Sequence, residues 1–341
     1  MTTLLFDYDP ILYAAGSIGE TRTVHIVHRQ SGDEYEFDTR TMFWGHWKKK
    51  AGGWLADYNK GADSPRLPEE FDITDIQTPE PIENCLHTVK QMIKATCEAV
   101  GTKSYYGYSG KGKVFREDIS TILKYKGNRD KNLRPLHLDN LKEYLVKNHN
   151  CEIITGIEAD DACSIDSHNA YKKWMKTRSD ADRFVLAYVD KDYLQTAGHL
   201  YNTNTQGPIC SYDGFGWLKP NEKGDIKGRG RLWLMHQVLS SDDADNYAAN
   251  SACDMKWGEK KSYNLLKDCT TDKQAFEALV LGYKTLYPSP KKITGWREDE
   301  IEIDWLYVLQ ENFNLAKMLR SYDEQPTDVK SVLDKLGVNY E

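Results

Sequence analysis

Two acidic clusters, Glu158-Ala-Asp160-Asp161 and Asp190-Lys-Asp192, each stand where an apolar strand should end. Like charges held a few ångströms apart repel, so carboxylates gathered this way point to a cation between them. A third acidic run, Asp242-Asp243-Ala-Asp245-Asn246, follows a helical stretch containing Leu234 and Val238. Taken singly, each has an ordinary structural explanation, since a helix N-terminus favours Asp160 and Asp161, and Asp190 or Asp242 would cap a turn. Taken together, and with Asp7 directly after Leu4-Leu-Phe6, they form an oxygen-only donor set without His or Cys. Such a set selects a hard cation, Mg²⁺ or Mn²⁺, and Mg²⁺ typically works on phosphates. Phosphoryl chemistry is the expectation.

The elements that must hold these residues read as an α/β fold. Leu4 to Phe6, Ser104 to Tyr108, Cys151 to Ile154 and Phe184 to Val189 are short strand-like runs. The last is almost continuously apolar, as a parallel strand covered on both faces requires. Helical spacing of Leu86, Val89, Ile93 and Cys97, then of Leu138, Leu141 and Leu145, and a helix over Asp160 to Lys176, alternate with them. This rhythm predicts a mostly parallel central sheet with helices on both faces. Open parallel sheets bind ligands beyond the carboxyl ends of their strands, where Asp7, Glu158, Asp190 and Asp192 would converge. Two regions are expected. Residues 1–228 form the α/β core, with an inserted hairpin (Thr23 to Val27 and Tyr35 to Phe37) and a Gly- and Pro-punctuated irregular stretch with short helices inside about 20–80. Residues 229–341 are helical, with helices at 232–239, 258–267 and 275–286 and around Leu306, Leu309 and Phe313.

A net charge of -7 argues against a protein that coats nucleic acid indiscriminately, but net charge says little about local patches, and here the signs are segregated. Basic residues cluster at Trp47 to Lys50, Lys111 to Arg116, Lys124 to Arg134 and Lys219 to Arg231, interleaved with aromatics, which favours a phosphate-rich partner. The seven cysteines include no C-x-x-C pair, so neither zinc nor a disulfide framework is suggested and a reduced, cytoplasmic compartment fits. No signal peptide or membrane span is read, so a soluble protein is expected. Gly107-Tyr-Ser-Gly-Lys-Gly-Lys113 has P-loop spacing, but Val114 stands where a hydroxyl must reach Mg²⁺, so Lys111 and Lys113 are read as facing nucleic-acid phosphates instead.

The chain resembles the phage and bacterial 5′-nucleases, the flap endonucleases or 5′-3′ exonucleases of PIN-like fold. The resemblance runs in order through Leu4-Leu-Phe-Asp7, Val114-Phe-Arg116, Tyr125-Lys-Gly-Asn-Arg129, Gly156-Ile-Glu-Ala-Asp-Asp161, Val189-Asp-Lys-Asp192 and Asp242-Asp-Ala-Asp-Asn246. It continues weakly into Trp257-Gly-Glu-Lys-Lys-Ser-Tyr-Asn264, which is similar to that family's helix-three-turn-helix. It implies a two-metal enzyme, with Asp7, Glu158, Asp160 and Asp190 holding or sharing one Mg²⁺ (or Mn²⁺) and Asp161, Asp192, Asp242 and Asp245 holding or orienting the second. Tyr125, Lys126 and Arg129 would clamp the scissile phosphate and stack the terminal base, Arg116 would contact DNA, and Gly258 and Lys260 would grip the duplex backbone. The implied partner is DNA at 5′ ends and flaps, with RNA–DNA hybrids where a primer is removed. The implied setting is a monomeric, phage-encoded enzyme of replication in the host cytoplasm. Two departures stand out: Ser109 occupies the place of a ligand aspartate, with Asp9 as the available substitute, and Tyr247 to Cys253 replaces the usual glycine-rich hairpin. A flap-binding protein that does not cut and a PIN-like ribonuclease are the alternatives.

Overall fold

The computed structural model describes residues 1–45, 52–129 and 133–341, so Trp47 to Lys50 and positions 130–132 of the Lys124 to Arg134 run lie outside the described residues. The chain begins β1 (Thr3–Asp7), α1 (Asp9–Gly16), β2 (Glu20–His28), β3 (Glu34–Phe37), α2 (Arg40–Trp44), α3 (Trp54–Lys60), β4 (Phe71–Pro79) and α4 (Ile82–Val100). It continues β5 (Ser104–Val114), α5 (Phe115–Ile119), α6 (Leu138–Asn148), β6 (Cys151–Gly156), α7 (Ala159–Thr177), β7 (Phe184–Tyr188), β8 (Gly198–Asn202), β9 (Cys210–Tyr212), β10 (Trp217–Pro220) and β11 (Ile226–Arg229). The last third holds α8 (Arg231–Leu239), β12 (Ser241–Asp242), β13 (Tyr247–Ala248), α9 (Glu259–Leu266), α10 (Asp272–Leu286), β14 (Lys291–Thr294), β15 (Glu300–Ile303), α11 (Trp305–Ala316) and α12 (Val329–Leu336). Contacts divide the chain into two units: residues 1–10, 92–133 and 145–341, and residues 11–91 and 134–144.

The first unit is α/β. Its six-stranded sheet has the order β6-β5-β1-β7-β8-β9, parallel except for the edge pair β8–β9. Leu4, Leu5 and Phe6 of β1 and Val185, Leu186 and Ala187 of β7 are buried on successive positions, which is why these strands read as continuous rather than alternating. Helix α7 packs along β1, β5, β7 and β8. Helices α8, α10 and α11 share a second core built on Leu239, Leu279, Tyr283, Val308 and Leu309. Gly282 sets the approach there: a Cβ at that position would stand 2.6 Å from Leu239 Cδ1. The strand expected to end at Tyr108 runs on to Val114, with a register break between Gly110 and Val114. The segment with P-loop spacing is therefore strand, not a phosphate-cradling loop.

The second unit holds an antiparallel sheet of order β3-β2-β4. The hairpin read from the sequence is β2–β3, and the short helices are α2 and α3. Strand β4 lies where irregular structure was expected, because its prolines mark the boundaries rather than the interior: Pro79 is its last residue, opposite Glu20. Phe43 fills this unit's core, its ring centroid 5.7 Å from Trp54 and 5.0 Å from Phe71. Among the described residues, no helix is long and apolar enough to cross a membrane.

Candidate metal centre

The first unit's sheet delivers carboxylates at the ends of its central strands. Asp7 closes β1, with Oδ1 accepting the Asp9 N–H at 3.1 Å and Oδ2 the Tyr193 hydroxyl at 3.0 Å. Asp9 in turn accepts from Ser109 Oγ at 2.6 Å and from the Gly110 N–H at 3.3 Å. Ser109 is fully buried on β5. Where the family resemblance leads one to look for a ligand carboxylate, a hydroxyl holds a neighbouring carboxylate in place. Burial, reinforced by Asp9 and Asp190, pushes the Asp7 carboxyl up to about 7 despite the Asp9 N–H and Tyr193.

The turn from β6 into α7 makes a left-handed step at Gly156 (φ 82°) and places Glu158 as the N-cap of α7. One carboxylate oxygen from each of Glu158, Asp160 and Asp161 lies within 4.8 Å of the others. Their partners differ sharply. Arg116, 2% exposed, donates to Asp161 Oδ1 at 2.9 Å and to Asp161 Oδ2, to Glu158 Oε2 at 3.0 Å, and to the carbonyls of Leu315 and Lys317 at 3.0 and 2.7 Å. Asp161 Oδ1 also accepts the Leu319 N–H at 3.0 Å. Glu158 takes the Tyr125 hydroxyl at 2.7 Å and the Lys126 ammonium. Burial alone would raise the Glu158 carboxyl, but Lys126 and Arg116 outweigh it and hold it at about 2. Asp160, on the same turn, has a buried Oδ1 with no hydrogen-bond partner. Burial first, then Glu158 and Asp161, drive its carboxyl well above the usual range.

The second acidic group is built around the end of β7. Asp190 is exposed and caps the following turn, its Oδ1 accepting the Asp192 N–H at 3.0 Å. Asp192 meets the Gln237 amide of α8, yet burial and the charges of Asp190, Asp245 and Asp242 raise it well above the carboxylate range. Asp242 pairs with Lys191 at 2.9 Å and accepts the Ala244 N–H at 2.8 Å. Asp245 lies 3.5 Å from both Lys126 Nζ and Arg129 Nη2. Lys126 thus reaches one carboxylate of each group. Its backbone is in the left-handed region (φ 54°), a conformation costing about 1 kcal/mol or more for a non-glycine residue, and the surroundings enforce it. The Lys126 N–H donates to Asp245 O at 3.0 Å, Asn246 Nδ2 to Lys124 O at 2.9 Å, Arg129 Nε to Ala244 O at 2.9 Å, and Asn128 to Asp243 O. The Tyr-Lys-Gly-Asn-Arg and Asp-Asp-Ala-Asp-Asn motifs, over a hundred residues apart, are sewn into one piece.

The remaining sequence candidates fall into two sets. Tyr125 and Arg116 are inside the protein: Tyr125 is 4% exposed, so its ring offers no face to a base, and Arg116 has no path to a DNA phosphate. Both instead fix Glu158. Lys111, Lys113 and Lys260 are exposed, Lys113 paired with Asp118, and Gly258 is the N-cap of α9. Sequence reasoning gave no sign of Tyr193 and Gln237, which sit on Asp7 and Asp192. Nothing in an isolated Tyr or Gln marks it as a carboxylate's partner until the fold brings α8 against the end of β7.

No model of a known protein family matches the sequence, and no curated protein does. Among solved structures, the chain is similar to the T5 D15 protein co-crystallized with metal ions, at 16% identity and a TM-score of 0.42, covering 73% of this chain and 89% of that one. It is also similar to T5 5′-exonuclease with divalent metal ions (zinc) bound, at 17% identity and a TM-score of 0.40, covering 72% of this chain and 86% of that one.

Proposed function

We propose that this chain is a divalent-metal-dependent nuclease that hydrolyses phosphodiester bonds at DNA 5′ ends and flaps. The observation that carries the reading is the buried, partnerless Asp160 Oδ1 inside an all-oxygen cluster, with Asp7 raised at the end of β1 and Asp192 raised within the second acidic group. A buried carboxylate oxygen without a donor is costly, and a hard cation is the group that such a donor set fits. Asp7, Asp160 and Asp190, with Glu158 shared, would hold one Mg²⁺ or Mn²⁺, and Asp192, Asp242 and Asp245 the second. Asp161 is committed to Arg116, so its part is to orient rather than to ligate. When bound, such ions activate water and polarise the phosphodiester, leaving a 5′-phosphate.

The chain's own residues supply the rest. Lys126 Nζ stands between the two acidic groups, where an ammonium can hold a non-bridging phosphate oxygen. Arg129, with its side chain half exposed beside Asp245, can take the adjacent phosphate through two parallel N–H donors. Arg116 and Tyr125 keep Glu158 fixed and ionised. Asp9, locked by Ser109, supplies carboxylate charge at the position where Ser109 itself has none.

The test is cleavage of 5′-flap, nicked and blunt duplexes and an RNA–DNA hybrid, each labelled at either end, with Mg²⁺, Mn²⁺ or EDTA. Metal-dependent cutting by the wild type and none by Asp160→Ala is the expected result. Equal cutting by both, or in EDTA, would overturn the site. Flap binding without cutting under either metal would turn the reading to a protein that holds flaps, with Ser109 as its cause.

A further inference from the structure

The basic run from Lys219 to Arg231 is a hairpin. Strands β10 and β11 pair antiparallel with Trp217 opposite Arg229, Leu218 opposite Gly228, and Lys219 opposite Lys227. Alternation puts Trp217, Lys219, Lys227 and Arg229 on one face. Two lysines directly across a ladder repel, and among the described residues neither ammonium is paired with a carboxylate. The acidic residues nearest in sequence, Glu222 and Asp225, lie in the connecting turn, where Asp225 accepts from Asn221. Trp217 is 40% exposed, with Lys219 Nζ 4.7 Å from its ring centroid. Arg229, at the end of the same face, is 7% exposed and lies 5.4 Å from the Tyr212 ring, yet its Nε and Nη2 have no acceptor. Removing a guanidinium from water without an acceptor is expensive. Opposed ammoniums beside a part-exposed indole, with the buried, unneutralised charge of Arg229 behind them, together describe a surface receptive to a polyanion.

The hairpin's other face fixes where that receptor stands. Gly228 is pressed against α8 so closely that a Cβ would lie 2.5 Å from Trp233 Cε3, and Leu218 is buried beside it. The Trp233 indole donates to Lys191 O at 3.2 Å, between Asp190 and Asp192, and the Gly230 N–H donates to Leu194 O at 2.8 Å. The stripe is thus anchored to the segment that carries the second acidic group.

We infer that the Trp217–Lys219–Lys227–Arg229 face of this hairpin binds a single strand of nucleic acid and leads it to the metal centre. The ammoniums take its phosphates, and Trp217 stacks on an unpaired base, which a duplex does not offer. The role of the strand as substrate rests on the nuclease reading above. Binding itself does not.

The experiment is equilibrium binding of a fluorescent oligothymidylate and of a closed hairpin duplex, in EDTA over a range of NaCl, for wild type, Trp217→Ala and the double variant Lys219→Ala/Lys227→Ala. Each phosphate contact on a single strand contributes about 0.7 to the slope of log affinity against log salt, so the double variant should lose about 1.4. Trp217→Ala should weaken single-strand binding by roughly 5- to 150-fold with little change in slope. The thermal midpoint of the double variant should hold or rise, because an opposed like-charge pair has gone. An unchanged slope and affinity, no single-strand binding by the wild type, or a loss confined to the duplex would overturn the proposal. Single-strand binding with the expected slope but no cleavage under any metal would sink the nuclease reading and leave the stripe standing. Cleavage with an unchanged slope would do the reverse.

Discussion

Glu158 and Asp161 differ from Asp160 in what faces them, although the three sit within one helical turn. Arg116, Lys126, Tyr125 and the Leu319 N–H neutralise the first two, and Glu158 stays ionised down to about 2. Asp160 receives nothing on its buried oxygen, and Asp7 is pushed up to about 7. The protein thus spends its own cations on some carboxylates and withholds them from others a few ångströms away. A fold that only needed its acids neutralised would not leave the inward oxygen of Asp160 without a donor beside a fully satisfied Asp161. On the proposed reading, the satisfied carboxylates brace the site and those without a cationic partner would hold the metal.

The strongest way to break this contrast is at the brace. Arg116→Met should cost about 3–5 kcal/mol in urea unfolding, because Asp161 and Glu158 are left buried without their guanidinium. A loss below about 1 kcal/mol would mean the pair is not structural. pH sharpens the same contrast through Asp7, whose folded carboxyl lies near 7, above its unfolded value of 3.8. Its proton stabilises the fold below about 4, and that contribution disappears as pH rises through 7, so in EDTA it should fall by up to about 4 kcal/mol across this window. Glu158 has the opposite sign: its contribution is present above 4.5 and is lost as pH falls toward 2. Subtracting the Asp7→Asn stability profile from that of the wild type isolates the first effect, and a flat difference would contradict it. Asp160→Asn, which replaces a carboxyl whose buried oxygen has no donor, should leave stability in EDTA unchanged or raise it by up to about 1 kcal/mol. The smallest effect belongs to Lys191→Met, which removes the half-exposed partner of Asp242 and should cost about 0.5–1 kcal/mol by the same unfolding assay.

The strand ends and the acids on them were legible because continuous apolar runs such as Phe184 to Tyr188 have few other readings, and because charge directly after such a run is conspicuous. The parallel sheet and the helices α4, α6, α7, α8, α10 and α11 follow from the same periodicities. What each acid meets was not legible. Arg116 and Asp161 are 45 residues apart and Tyr193 and Asp7 186 apart, so their pairing exists only once the sheet order is set. Tyr125 and Arg116 looked like ligands for DNA because side-chain type carries no mark of burial. Strand β4 was hidden by prolines that turned out to lie at its edges. The β10–β11 hairpin was visible only as a run of positive charge, since its strands are four residues each and its inner face is a Leu, a Pro, a Gly and an Ile.

If the carboxylates without a cationic partner hold a divalent cation, thermal unfolding against added metal will show it. In wild-type protein stripped with EDTA, Mg²⁺ or Mn²⁺ should raise the midpoint progressively, reaching about 2.7 kcal/mol of added stability at a hundred times the dissociation constant. In Asp160→Asn the rise should be largely lost, while the metal-free midpoint is kept or raised. A wild-type midpoint that ignores both metals, or a rise that Asp160→Asn retains in full, would contradict the claim.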